Sequence, residues 1–422
     1  MRRSALPVIA LVLSLVAGQM ASAATGDLDA GFSGDGYQVF SFPSSTYDSA
    51  YDVIVLGNDK IVVGGNTKGD AGNRFGLLRT TAGGGLDESF SDDGFLIDTF
   101  EPAGDDVPTV LLKQDGKYVA GGWGTNGEAR RVIVARYNAD GDLTTGFGNG
   151  GVRFTSVGPG DETTYGGAMS GDKIVLAGHH EEGEDVDGFL VRYTAGGDLD
   201  DTFSGDGTRR FSLGSVAGLE DVAVQDDRKL VAVGFSTKNG VLAVTVARFM
   251  PNGSLDESFS DDGVVRVPFG DSAGASSVVI TPGGKIVAAG WSRVSAEGFK
   301  VPVVRVRPNG ELDDTFSDDG KALFTFGTRP ESLADDVVLQ PDGKLVLLGS
   351  HIAAEQADND VGVARVRLNG TLDDSFSGDG RRAFAFEGWD YATAGAFQSN
   401  GRLIFVGGSE DDFLVGAIDT GL

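Results

Sequence analysis

Apolar and polar residues alternate along this chain in short runs, and helical periodicity is absent after the first residues. In Asp335-Asp-Val-Val-Leu-Gln-Pro-Asp-Gly-Lys-Leu-Val-Leu-Leu-Gly349 two apolar runs flank a Pro-Asp-Gly turn. Asp-Gly between β-rich runs predicts a hairpin, because the tight turn needs positive φ. Val361-Gly-Val-Ala-Arg-Val-Arg-Leu368 predicts a third strand and Arg382-Ala-Phe-Ala-Phe386 a fourth. Between them stand an Asn369-Gly370 turn and the segment Thr371-Leu-Asp-Asp-Ser-Phe-Ser-Gly-Asp-Gly380.

This unit of four strands, A to D, recurs. Its marker is the leucine of the Leu-Asp-x-x-Phe segment: Leu28, Leu86, Leu143, Leu199, Leu255, Leu312 and Leu372. Successive gaps are 58, 57, 56, 56, 57 and 60 residues, and a Phe follows four positions after each marker. Repeats of that length mean a solenoid or a propeller, and four-stranded antiparallel units in tandem predict propeller blades. The ends of the chain are complementary. The last unit supplies strands A to C near Ala392–Gln398, Leu403–Gly407 and Phe413–Ile418, then stops within the C-to-D connection. The segment from Gly26 to Phe42 opens with that connection and a D strand. An all-β, seven-bladed β-propeller follows, closed into a ring by the N-terminal strand. An open solenoid would want polar capping units instead.

The recurring Gly-x-Leu-Asp-x-x-Phe-Ser-x-Asp-Gly copies and the Gln-Pro-Asp-Gly-Lys turn resemble the delta-60 repeat family of secreted bacterial β-propeller proteins. The third copy, Leu143-Thr-Thr-Gly-Phe-Gly-Asn-Gly150, departs from the pattern at Thr144 and Asn149. The resemblance implies fold and secretion, and carries no catalytic residues.

Residues 1–23 read as a secretory signal peptide: Arg2-Arg3, an apolar run from Ala5 to Val16, and Ala21-Ser-Ala23 before the cut. The propeller would occupy 24–422. There is no Cys, which excludes disulfides and a lipoprotein anchor, so a soluble periplasmic or extracellular protein is expected. The formal net charge of −28 argues against nucleic acid, whose phosphates need clustered Lys and Arg, and against an anionic membrane surface. A monomer is expected, since closed rings leave few free strand edges.

Chemistry is sparse. The Asp-rich segment Ser258-Phe-Ser-Asp-Asp-Gly263 lacks the alternate carboxylates and late Glu of an EF-hand, and reads as a turn with a buried Phe. Strand C carries Arg79, Arg136, Arg192, Arg248, Arg305 and Arg365, each eight residues before Asp87, Thr144, Asp200, Asp256, Asp313 and Asp373; blade 7 has Ala417. This spacing predicts a structural latch across the C–D connection.

The variable B-to-C loops should share one rim with the D-to-A crossovers, and function is expected there. Directly after the B-strand glycine stand Asn66, Trp123, His179, Phe235, Trp291, Ser350 and Ser409. Trp123, His179, Phe235 and Trp291 form the candidate ligand-binding arc, suited to a glycan or a peptide; packing between blades is the plain alternative. Acidic loops hold Glu181, Glu182, Glu184, Asp185 and Asp187, then Glu355, Asp358 and Asp360, then Glu410, Asp411 and Asp412. Asp52, Asp221 and Asp336 are expected near the start of strand A, by the channel mouth. No cofactor or metal site is expected; calcium is the ion such oxygens would suit. No catalytic set stands out. The reading favours a binding or scaffold module for an envelope or extracellular protein or glycan. The alternatives are a lyase or hydrolase using His180 or His351 with a rim carboxylate, and a purely structural envelope protein.

Overall fold

A computed structural model describes residues 24–70, 72–100, 105–125, 127–214, 216–295, 297–329, 331–352, 358–386 and 388–422. Residues 1–23, the expected signal peptide, and Glu355 lie outside the described residues. The turn glycines take the φ their motifs demand, Gly343 at 91° and Gly370 at 86°, and the alternating runs between them pair as antiparallel strands. Blade 1 comprises strand A (Tyr47–Val55), B (Ile61–Gly69), C (Gly72–Thr80) and D (Phe95–Asp98). Seven such four-stranded sheets form, and the described residues contain no helix.

Blade 7 takes A (Asp390–Phe397), B (Leu403–Ser409) and C (Asp412–Ile418) from the end of the chain. Its D strand is Tyr37–Phe40, with Tyr37 opposite Gly416 and Phe40 opposite Phe413. The ring is a closed seven-bladed β-propeller, as the complementary ends predict.

Both faces of a blade are apolar, so each blade buries its faces on its neighbours. Seven apolar clusters result, one per blade junction. The junction of blades 7 and 1 joins Phe413 and Val415 to Phe42, Ala50 and Val63. Thus the chain needs no single large core, which would be hard to build at this length.

On the rim of the A-to-B and C-to-D turns, the Leu-Asp-x-x-Phe segments act as scaffold. All seven Phe rings are fully buried. The Ser after the Phe adopts positive φ in six copies and hands its N–H to the next blade: Ser91 to the Asp140 carbonyl, Ser260 to that of Asn309, and Ser377 to that of Thr25. The last of these is a second joint across the closure.

The latch forms as the spacing predicts. Arg365 Nε meets Asp373 Oδ2 at 2.8 Å, Nη1 donates to the Thr420 carbonyl, and the guanidinium lies over Phe376 at 4.9 Å. Arg79, Arg192, Arg248 and Arg305 repeat the carboxylate bond. The B-strand lysine of the Gly-Lys turn joins the same carboxylate, as Lys285 does Asp313 at 2.7 Å. In blade 7, where Ala417 replaces the arginine, Arg402 stands at that lysine position and reaches Asp29 Oδ2 at 2.6 Å. In blade 2, Arg136 faces Thr144. It bonds Gln114 and the Ala195 carbonyl, but Arg136 Nε and Thr144 Oγ1 are buried without hydrogen-bond partners.

Every A strand contains a β-bulge. The register skips one residue in each: Tyr51, Thr109, Tyr165, Glu220, Ser276, Asp335 and Thr393. A bulge re-aims the extra side chain. Repeated on the innermost strand of every blade, it sends a ring of seven side chains into the central channel.

Candidate functional site at the channel mouth

The seven bulge residues all line both the waist of the channel and a cavity of ≈ 620 Å³ above it. That cavity opens among Tyr47, Asn73 and Arg130, at the strand ends of the variable rim. Its apolar surface comes from Tyr47, Tyr51, Trp123 and Tyr165, and its floor carries Glu220 and Asp335. Burial, with the Glu220 and Glu181 charges, pushes the Tyr165 phenol up to about 12, so it stays a neutral hydrogen-bond donor.

Asp52, Asp221 and Asp336 lie in the middle of strand A rather than near its start. Each follows the bulge residue, which turns it back into the channel wall. There they tie blades together. Asp52 Oδ2 accepts the Leu111 N–H of blade 2 at 2.6 Å, and Asp221 Oδ2 that of Val278 in blade 5 at 2.9 Å. Asp336 accepts the Ser277 hydroxyl from blade 5 and the Gly395 N–H from blade 7. Burial raises Asp52 to about 7 and Asp221 to about 8 despite these donors, and raises Asp336 as well. Asp335, open to the lumen, is raised by the enclosing wall and by the neighbouring Asp336 charge.

The four arc residues occupy one register position but not one surface. Trp123 lines the mouth cavity, with the Arg130 guanidinium 5.6 Å from its ring centre. His179 is buried between Tyr165, at 4.5 Å, and Phe235, at 5.1 Å, and its Nε2 lies 3.2 Å from Glu220 Oε1. Phe235 closes over Gly218 and Trp291 over Gly274. In blade 7 the equivalent residue is Gly408, paired with Tyr391, not Ser409. Two successive glycines there make "after the glycine" ambiguous by one residue.

His180 does stand within reach of a carboxylate, its Nδ1 3.1 Å from Glu162 Oε1. Both side chains are wholly enclosed. Glu162 also accepts the Val157 N–H at 3.0 Å, which is the D-to-A crossover bond that Asp48, Asp106 and Asp390 make to Phe42, Phe100 and Phe386. His351 sits beside the blade 6 version, 3.2 Å from the Ser332 hydroxyl that caps Phe326. Burial and the Arg329 charge lower its pKa. Both histidines therefore serve the repeated crossover cap.

The acidic loops do not converge. Glu181 engages Arg130, Asp187 engages Arg210, and Asp360 engages Arg329. Among the described residues no group of three or more His, Asp and Glu side chains is arranged to hold a metal ion.

Six segments of the chain match a family model described as a domain of unknown function (DUF5122) beta-propeller: residues 56–90, 113–147, 172–203, 225–259, 282–316 and 340–376. Each match ends on the buried Phe of a repeat. A search of curated proteins finds no match. Among solved structures, Drosophila Semaphorin 2a aligns with a TM-score of 0.50 at 9% identity, over 94% of this chain and 76% of that one. The WD40 β-propeller domain of Doa1 gives a TM-score of 0.47 at 13% identity, over 90% and 96%. The extracellular domain of a putative hybrid two-component system from B. thetaiotaomicron gives 0.46 at 11%, over 90% of this chain and 39% of that one. At such identities the likeness concerns fold alone. The chain is a β-propeller repeat protein, six of whose seven repeats match the model of a β-propeller domain of unknown function.

Proposed function

We propose that this protein is an exported binding module that receives part of a protein or glycan partner in the mouth of its channel. The observation that carries this reading is the ≈ 620 Å³ cavity, where four aromatic side chains and two carboxylates from five of the blades face one space. Large aromatic faces with a few placed polar groups are what small ligands and protruding side chains bind. The scaffold around it is uniform, so the differences between blades concentrate in the lumen ring and the variable loops. The leader-like start of the sequence supports export, and the closed ring supports a monomer.

Peptide and glycan arrays would test it, read with the natural protein and with a Trp123→Ala/Tyr165→Ala double variant shown by circular dichroism to be folded. The proposal expects spots that the natural protein marks and the folded variant loses. Arrays marked equally by both would place recognition elsewhere, and unmarked arrays would favour a structural role.

A further inference from the structure

We infer that the channel mouth takes a cationic nitrogen group on an apolar stem, of the alkylguanidinium or alkylammonium kind that arginine and lysine side chains carry. The inference rests on the binding reading above and names the chemistry of its ligand.

One buried acceptor lacks a donor, and one buried hydroxyl lacks any partner. Asn66 is 4% exposed and lines the cavity. Its amide orientation follows from its neighbours. Asp105 Oδ1 can only accept, so it takes the Asn73 N–H groups, at 2.7 Å from the backbone and 3.0 Å from Nδ2. That turns Asn73 Oδ1 to Asn66, which must answer with Nδ2, at 3.0 Å. Asn66 Oδ1 is left as a buried acceptor without a partner. Thr163, 5% exposed and also lining the cavity, has its Oγ1 buried and unpartnered, and that hydroxyl is able to accept as well as donate. Buried polar atoms in native folds nearly always have partners, so a ligand bearing N–H groups suits this wall.

Charge makes the donor a cation. Glu220 and Asp335 face the cavity, and a bound cation would favour the ionised form of Asp335 and of the raised Asp52, Asp221 and Asp336 carboxyls in the wall below. Among the described residues Arg130 is the one basic residue lining the cavity, and it is held by Glu181 at 3.2 Å and lies over Trp123. A carboxylate or phosphate ligand would meet repulsion from the floor. A bare calcium ion would need six to eight converging oxygens, and the Asp52, Asp221 and Asp336 carboxylates already accept hydrogen bonds from neighbouring blades. Tyr51, Tyr165 and Tyr47 offer ring faces to a cation and its stem. Arg130 on Trp123 is the protein's own instance of that contact.

Isothermal titration calorimetry with agmatine and with the peptide acetyl-Gly-Arg-Gly-amide tests the inference at low salt. Saturable one-to-one binding of either supports it, and the preferred one tells whether the group arrives free or on a peptide. Asp335→Asn and Glu220→Gln, each melting near the natural protein, should weaken binding about fivefold or more. Glu88→Gln, an exposed charge on the opposite rim, should leave it unchanged. Binding that ignores Asp335→Asn and Glu220→Gln overturns the assignment. If a neutral saccharide or peptide binds in a Tyr165-dependent manner while both cations fail, the ligand class falls and the binding module stands. If nothing binds on arrays or in the calorimeter, both fall.

Discussion

Arg365 and Asp373 are each 2% exposed at the side chain, and their charges survive burial because they pair with each other, with Lys344 and Arg367 adding to the Asp373 side and the Thr420 carbonyl to the Arg365 side. Removing one partner of such a pair typically costs about 3–5 kcal/mol. Asp373→Ala should lower the stability in urea by that order, and a loss under about 1 kcal/mol would demote the latch to a surface pair. Blade 2 offers the converse. Thr144→Asp supplies the missing acceptor for Arg136 Nε and should raise stability by about 1 kcal/mol; an unchanged denaturation midpoint would count against it. Two kinds of carboxyl also set opposite pH limbs. Burial works to raise Asp256 and Asp373, but their Ser258 and Ser375 hydroxyl bonds and the Lys229, Arg248 and Arg365 charges hold both at about 2. Their stabilisation is present above the ordinary carboxylate range and is lost as pH falls towards 2. Asp52 and Asp221 are raised to about 7 and about 8, so their contribution is complete below the ordinary range and is lost as pH rises through those values. Stability should peak in the ordinary carboxylate range, at about pH 4, and fall above it by at most about 1.4 kcal/mol per pH unit for each channel carboxyl. Urea midpoints at pH 5, 6.5 and 8 check this, and a flat or rising series contradicts it.

At the scale of strands and turns, the closure joins elements that the sequence separates by most of its length. Tyr37–Phe40 pairs with Asp412–Ile418, and Phe42 enters the apolar junction of blades 7 and 1. Deleting residues 24–42 should leave that junction open, lower the melting temperature sharply and promote self-association. A synthetic peptide of residues 24–42 added in trans should restore much of the loss; restoration failing while the truncated chain stays folded would deny the strand its role. The strands, turns and latch were legible because their spacing repeats in register. The bulges were not. One extra residue leaves alternation intact on either side of it, so Asp52, Asp221 and Asp336 read as ordinary strand positions when they are mid-wall ties. Lys285 on Asp313 was hidden too, because its partner lies in the C-to-D connection and the lysine reads as part of a turn. Arg402 at the equivalent place was the available signal, standing opposite a motif whose usual arginine is Ala417.

For the molecule as a whole, complementary ends made the closed ring readable before any coordinates. The site was only partly so. Trp123 belongs to the mouth cavity, but its companions Tyr51, Tyr165, Glu220 and Asp335 come from four different bulges, and nothing local in the sequence brings them together. The proposed site thus sits where a repeated backbone device meets residues that are not repeated: Tyr, Thr, Tyr, Glu, Ser, Asp and Thr around one ring. The absence of cysteine makes that ring directly accessible to labelling. Ser276→Cys would place a single thiol in it, and a small maleimide would report whether the lumen is open. The thiol at 276 should be modified from solution at a rate near that of an exposed thiol, slowed by saturating agmatine or the arginine peptide, with Ser399→Cys on the opposite rim unaffected by either. A thiol at 276 that stays unreactive in the folded protein, or that reacts at one rate whatever is added, would contradict this.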